Sequence, residues 1–411
     1  MRTGTNLPRV GDYNRAVVLD AIRRRSPVSR VELAEGTGLT NQTVSNVVRR
    51  LLDEGLVQEI GQAPSQGGKR RTLLSLRADA AYAVGIHLDP DSTVAVLLDL
   101  AGRVLHRRRL GTAAHSDPGH LVAKLGRTVN SLIRHAGVAP DRVLGVGVAV
   151  PGPIDGGRGM VLNPPNLPDW HHIHLVELLG RATGLPVVLD NDATAAAIGE
   201  RWAGGAERSG SFLFVYVGTG IGGGIMLADT VLRGDSGNAG EFGHVLVEPG
   251  GHPCHCGANG CLEAYAAPYS VLAHFAERHG RAEAGRLGLS PGRERTRADW
   301  TRLCAAAARD GTPADQEIRR AAEHIGQAAL STVNLLDVGR IVLGGESLRG
   351  IQERVRDTVD KVVNEHSIAR AARTVPVEPS LIGEAVGAVG AASLVLDGNY
   401  SPGWRMLVGG R

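Results

Sequence analysis

Residues 241–263 read EFGHVLVEPGGHPCHCGANGCLE. Three of the chain's four cysteines fall within eight residues, after a histidine and between two glutamates. A metal knot, a redox device and part of a ligand pocket are the competing readings. Tetrahedral zinc takes four nitrogen or sulfur donors at about 2.0–2.3 Å, and His244, Cys254, Cys256 and Cys261 supply them in the spacing H-x9-C-x-C-x4-C. Disulfide chemistry leaves one cysteine unpaired, and a bridge between Cys254 and Cys256 would be strained. His252 or His255 could replace His244, though both lie inside the loop that the ion would close. The expectation is structural zinc, since four protein ligands leave no open coordination position.

Working outward, strand, glycine loop and helix alternate. The run VGTGIGGGI (217–225) offers backbone amides with no side chains in the way, as an anion needs, although glycines also make tight turns. Asp190-Asn191-Asp192 stands where a strand gives way to a helix. There Asp192 either projects into a crevice or simply caps the helix. LGGE (343–346) is a further glycine turn, and the small-residue run EAVGAVGAASLVLD (384–397) reads as a closing helix. Such repeated units predict an α/β body of two similar lobes with a cleft between them.

The first 80 residues differ. They hold 13 Lys/Arg against 8 Asp/Glu, net +5, which leaves 32 against 34, net −2, in the other 331. A basic head on a near-neutral body is a mild pointer to nucleic acid. Ala16, Val17, Leu19, Ala21 and Ile22 predict a first helix ending at Ser26-Pro27. Ser29 and Glu32 form a capping box for a second helix. Thr40 caps a third, with Val44, Val47, Val48, Leu51 and Leu52 inward. Its other face carries Asn41, Gln42, Thr43, Ser45, Asn46 and Arg49. A hairpin follows, with a basic, glycine-rich tip from Gln66 to Arg71 that includes Lys69 and Arg70. Caps, periodicity and hairpin agree on a winged helix-turn-helix. Short amides and hydroxyls, Thr40 among them, would then reach base edges, while Arg49, Lys69 and Arg70 suit phosphates. A helical protein-docking module is the alternative.

No apolar leader follows Met1, and no run reaches the length of a membrane span; the best, 381–396, contains Glu384. With cysteines clustered rather than spread, a cytoplasmic protein without membrane partners is expected.

The run E-x-G-H-x9-C-x-C-x4-C-x-E, preceded by the NDA loop and VGTGIGGG, resembles the ROK family of repressors and sugar kinases. The likeness spans about residues 14–397 and includes PGPID (151–155) and NPPNLPDW (163–170). It implies an actin-like (ribonuclease H-like) two-lobed sugar kinase fold behind a winged head. The units implied are a flexible N-terminus (1–12), the head (13–78), lobe 1 (79–200, with helix 384–397), lobe 2 with the zinc motif (201–383) and a tail (398–411). Carried over by motif, Asn191, Asp192, Glu241, His244 and Glu263 would bind a sugar, with Asp192 matching the kinase general base. Gly152 and Asn166 match the pocket rim. Where family kinases open with D-x-G-G-T, this chain has GIHLDPDST (85–93), placing His87 at the aspartate and Asp89 and Pro90 at the glycines. Carboxylates repel phosphate and proline removes an amide donor, so ATP is not expected as a cofactor. The reading is a sugar-responsive regulator, most often a repressor in this family, that binds operator DNA as a dimer or tetramer. A sugar kinase carrying a DNA-binding head is the alternative.

Overall fold

The computed structural model describes residues 7–63, 70–111, 117–164, 167, 169–290 and 295–402. Lys69 and Asn166 lie outside these. The head comprises helices α1 (Leu7–Arg25), α2 (Arg30–Thr37) and α3 (Asn41–Asp53) with strands β1 (Val28–Ser29), β2 (Val57–Gln62) and β3 (Thr72–Leu76). The strands pair in the order β1-β3-β2, the last two forming the wing hairpin. Helix α1 begins at Leu7, so residues 7–12 are helical and not part of the flexible N-terminus expected over 1–12. Proline in a first turn gives up only an amide that has no intrahelical partner there, which is why Pro8 does not delay the helix. Its buried stripe contains Val18, whereas Val17 is only half-buried. The capping box at Ser29 and Glu32 is formed on both sides. Thr40 accepts from the Thr43 amide.

Only residues 77–81 separate β3 from the body. The first lobe contains β4 (Tyr82–Leu88), β5 (Thr93–Asp99), β6 (Val104–Leu110), α4 (Pro118–His135), β7 (Val143–Val150), β8 (Ile154–Asp155), β9 (Met160–Val161), α5 (Leu175–Thr183), β10 (Val187–Asn191) and α6 (Asp192–Ala203). The second contains β11 (Phe212–Val217), β12 (Ile221–Leu227), β13 (Thr230–Val231), α7 (Glu263–Ala266), α8 (Pro268–Arg286), α9 (Thr296–Ala306), α10 (Pro313–Leu336), β14 (Arg340–Gly344), α11 (Gln352–His366) and β15 (Val377–Pro379). A final helix, α12 (Val386–Tyr400), returns to the first lobe and runs three residues past its expected end at 397.

The two main sheets repeat one topology. Their orders are β6-β5-β4-β7-β10 and β13-β12-β11-β14-β15. In each, three antiparallel strands are followed by two parallel ones. This duplication is the actin-like architecture.

The composition of α12 explains its place. A Cβ added at Gly147 of β7 would stand 1.7 Å from the Ala391 carbonyl, and one at Gly199 of α6 would stand 2.7 Å from Gly390. The helix therefore touches sheet and α6 backbone to backbone, and only glycine and alanine permit that approach. The head is also packed onto the body. One apolar cluster runs from Val18, Leu51 and Leu74 through Ala81 and Leu100 to Trp202 and Val389.

Candidate ligand cleft, metal centre and head junction

Strand β10 delivers Asp190 and Asn191 to the cleft, and α6 starts at once. Asn191, not Asp192, is the cap: its Oδ1 accepts from the amides of Ala193 (2.9 Å) and Thr194 (3.4 Å). Asp190 is buried and accepts twice from Arg233 (2.8 and 3.1 Å), so it is a structural anchor. Burial raises its pKa against the pull of that guanidinium. Asp192 spends Oδ1 on the Ala193 amide (2.8 Å) and turns Oδ2 toward His87 Nε2, 3.9 Å away.

Around this helix start lies a cavity of about 580 Å³ lined by Asn191, Asp192, Glu241, His244 and Glu263, with Gly152, Asn163 and His255 on its walls. The structure thus brings all five motif-matched residues together. Glu241 lines an open part of it. Burial in the cleft raises its pKa, with Asp192 and Glu263 adding to the effect and His244 opposing it. A Cβ at Gly152 would sit 3.1 Å from Glu241 Oε1 and 3.3 Å from Asn191 Nδ2, so glycine keeps the space between these two groups clear. Glu263 is buried and partly committed: it accepts from the Ile221 amide (3.0 Å) and from Tyr269 Oη (3.2 Å). It therefore holds the glycine loop in place as well as facing the cavity.

The loop that presents Glu241 and His244 is closed by sulfur. Ligand atoms of His244, Cys254, Cys256 and Cys261 all lie within 4.8 Å of one another. His244 Nδ1 to Cys254 Sγ and Cys256 Sγ to Cys261 Sγ are each 3.6 Å. A tetrahedron with metal–ligand distances of about 2.1–2.3 Å has edges of about 3.4–3.8 Å, which these two separations match, so the four donors could hold one metal ion. His252 is not in this set, and His255 Nδ1 stands 3.9 Å from Cys254 Sγ on the cavity side.

Beside the cavity, the loop after β4 meets the glycine loops that precede β12 and follow β14. Asp89 is buried, with Oδ1 on the Asp91 amide (2.9 Å) and Oδ2 near Thr219 Oγ1 (3.3 Å). Burial raises its pKa to about 6, with His87 opposing the rise. Glu346, after β14, accepts from Arg109 of β6 (2.5 Å) and from Arg297 of α9 (2.7 Å), which ties the first lobe to the second. Asp89, Thr219, Glu346 and Arg297 line a second cavity of about 330 Å³ with Asp91, Trp300 and Arg349.

The far end of α6 carries what sequence reasoning missed. Asp20 of α1 is buried and accepts from Arg23 (2.6 Å), while Arg24 (3.0 Å) and Arg201 (3.2 Å) share its other oxygen. Burial alone would raise the Asp20 pKa, but Arg23, Arg201 and Arg24 together bring it below the usual carboxylate value. The Arg23 guanidinium lies 4.4 Å over the Trp202 ring and donates to the Trp202 carbonyl. Arg201 also reaches Asp229 (3.3 Å). The available signal was an aspartate inside an apolar stripe, LDAI (19–22).

On the head, Thr40, Asn41, Gln42, Ser45, Asn46 and Arg49 are exposed along α3, with Thr43 half-buried. Arg49 donates to Asn46 Oδ1 (3.1 Å). Arg70 is exposed at the base of the wing; its expected partner Lys69 lies outside the described residues.

Fold and site define a winged-helix head mounted on an actin-like, two-lobed body with a polar cleft. The chain belongs to the ROK family, whose model matches residues 83–398. A MarR family model matches residues 12–71. Over 391 residues the chain is 27% identical to a xylose repressor of Caldicellulosiruptor bescii, covering 93% of this chain and 95% of that one. A crystal structure of a ROK family transcriptional regulator, a homologue of the Escherichia coli MLC protein, superposes with TM-score 0.74 at 24% identity, covering 97% and 98% of the two chains. A ROK glucokinase from Streptomyces griseus, solved with glucose and AMPPNP, covers 76% of this chain and 99% of its own at 29% identity, with TM-score 0.63.

Proposed function

We propose that the chain is a sugar-responsive transcriptional regulator, a repressor of carbohydrate genes, whose head binds operator DNA and whose cleft binds a sugar or sugar derivative. The observation that carries this is α6. One helix holds Asn191 and Asp192 at its start and Arg201 and Trp202, which grip the head, at its end. In this reading Asn191, Asp192, Glu241, His244 and Glu263 bind ligand hydroxyls. The metal is zinc, held by His244, Cys254, Cys256 and Cys261. It supplies no reaction chemistry but fixes the direction of the His244 ring. Thr40, Asn41, Gln42, Thr43, Ser45 and Asn46 face base edges, and Arg49, Lys69 and Arg70 face phosphates. Heads of this kind read paired half-sites, so the working form is a homo-oligomer, a dimer or a tetramer.

Sugar changes operator affinity only if it binds one lobe arrangement more tightly than another, with a coupling of about 1–3 kcal/mol. The test is fluorescence anisotropy on operator DNA with and without D-xylose, D-glucose or N-acetyl-D-glucosamine. A shift of about 5–150-fold in operator affinity by at least one sugar is expected. Unchanged operator binding with every sugar that stabilises the protein would sink the proposal.

The kinase alternative rests on the shared fold and on Asp192 at the base position. Against it, Asp89 stands where a phosphate would approach, and the Arg109–Glu346–Arg297 bridge already ties the lobes together beside that position. Sugar-dependent turnover of Mg-ATP would decide for the kinase.

A further inference from the structure

His87 stands where the family kinases place an acid, and the surroundings are built around its ring. A Cβ at Gly387 of α12 would lie 2.7 Å from the ring atoms, so the absence of a side chain there makes the space that the imidazole fills. Four ionisable groups face it from different elements. Asp192 of α6 lies 3.9 Å from Nε2, Tyr216 of β11 lies 3.5 Å from the same atom, and Asp89 and Glu346 approach from their loops. The facing part of α12 is uncharged Gly387.

Resting on the sugar-sensor reading above, we propose that His87 is a positioning residue for the ligand site: as an imidazolium it orients the Asp192 carboxylate as a fixed contact for a ligand hydroxyl. Burial opposes protonation of His87, but the Asp192 pairing and the charges of Asp89, Asp192 and Glu346 outweigh it and raise the imidazole pKa. Tyr216 stays neutral, since burial and the same carboxylates raise its pKa. The cation would act through Asp192, keeping the carboxylate aimed in the absence of ligand. Since the folded pKa is raised, ligand affinity is highest below it and falls as pH rises through it.

Two measurements on the full-length protein test this. Imidazole NMR follows the His87 titration, assigned by its absence in His87→Gln. It should titrate above the usual imidazole value in the wild type and at lower pH in Asp192→Asn. Calorimetry with D-xylose, D-glucose and N-acetyl-D-glucosamine follows binding between about pH 6 and pH 9. The wild type should lose affinity with rising pH, whereas His87→Gln should bind about tenfold more weakly at the low end with a flat profile. A His87 titration that Asp192→Asn leaves unmoved overturns the proposal. So does equal affinity with the same pH profile in wild type and His87→Gln, which leaves the sensor reading standing. If Asp192→Asn binds sugar as the wild type does, the sensor reading itself falls and takes the proposal with it.

Discussion

The cleft has two halves that meet at Asp192, and they are built in opposite ways. On one side, polar groups line an open cavity: the Asn191 amide, Glu241 and His244, with Gly152 leaving room between the first two. On the other side, the polar groups satisfy one another. Asp89 is taken by the Asp91 amide and Thr219, and Glu346 by Arg109 and Arg297. Polar groups turned toward open space mark a place that can receive a ligand. Charged groups spent on each other mark a place that has become part of the frame. The same fold therefore supports an open polar cavity and a structural joint side by side.

The comparison can be broken most severely at the metal. Cys261→Ser or chelation should lower the melting temperature by about 5–10 °C and abolish ligand binding, because the loop carrying Glu241 and His244 loses its closure. Survival of sugar binding in a metal-free protein, followed by calorimetry, would separate the receptor half from its metal scaffold. Next, Asp192→Ala should weaken sugar binding by about 100-fold while circular dichroism and melting stay near wild type. A large loss of stability instead would make Asp192 part of the frame.

Asp89→Asn sharpens the contrast from the other side. The folded Asp89 pKa of about 6 lies above its ordinary value of 3.8. Between these values the unfolded chain ionises first as pH rises, so this group takes stability away from the native state, fully by pH 7. The variant should melt a few degrees higher at about pH 7.5, with a smaller gain at about pH 5. Equal gains at both pH values would contradict burial as the cause. The smallest effect is reserved for Arg109→Ala. The Arg109–Glu346 pair is partly exposed, so lobe closure should loosen slightly and sugar affinity shift by no more than about fivefold.

Much of the fold was legible in local chemistry. Ser29, Glu32 and Thr40 cap the helices they announce, and strand–glycine–helix repeats became two sheets of one topology. The clustering of His244, Cys254, Cys256 and Cys261 was legible because four such donors in one short loop have few other uses. Asp192 was less so: spacing alone favoured a cap, and only the hydrogen bonds show that Asn191 fills that role. The α1–α6 junction was least legible. Asp20 and Arg201 are 181 residues apart, and nothing local says that a carboxylate in an apolar stripe will meet three guanidinium groups. The start of α1 at Leu7 falls inside the segment expected to be flexible, and helix formation there is not excluded by a first-turn proline.

The cap at Asn191 has a stereochemical consequence. Both interactions of its carbonyl oxygen are with helix amides, which leaves the NH₂ end facing the gap beside Gly152. Glu241 and Asp192, when ionised, offer only lone pairs. In the ligand-binding reading proposed above, a sugar hydroxyl seated there would accept a hydrogen bond from the Asn191 amide and donate one to a carboxylate, so the circuit has a direction before any ligand arrives. An ether or a methylated oxygen could complete only its first step. On that reading helix termination, a matter of folding, would favour ligands that bring a free hydroxyl to this spot.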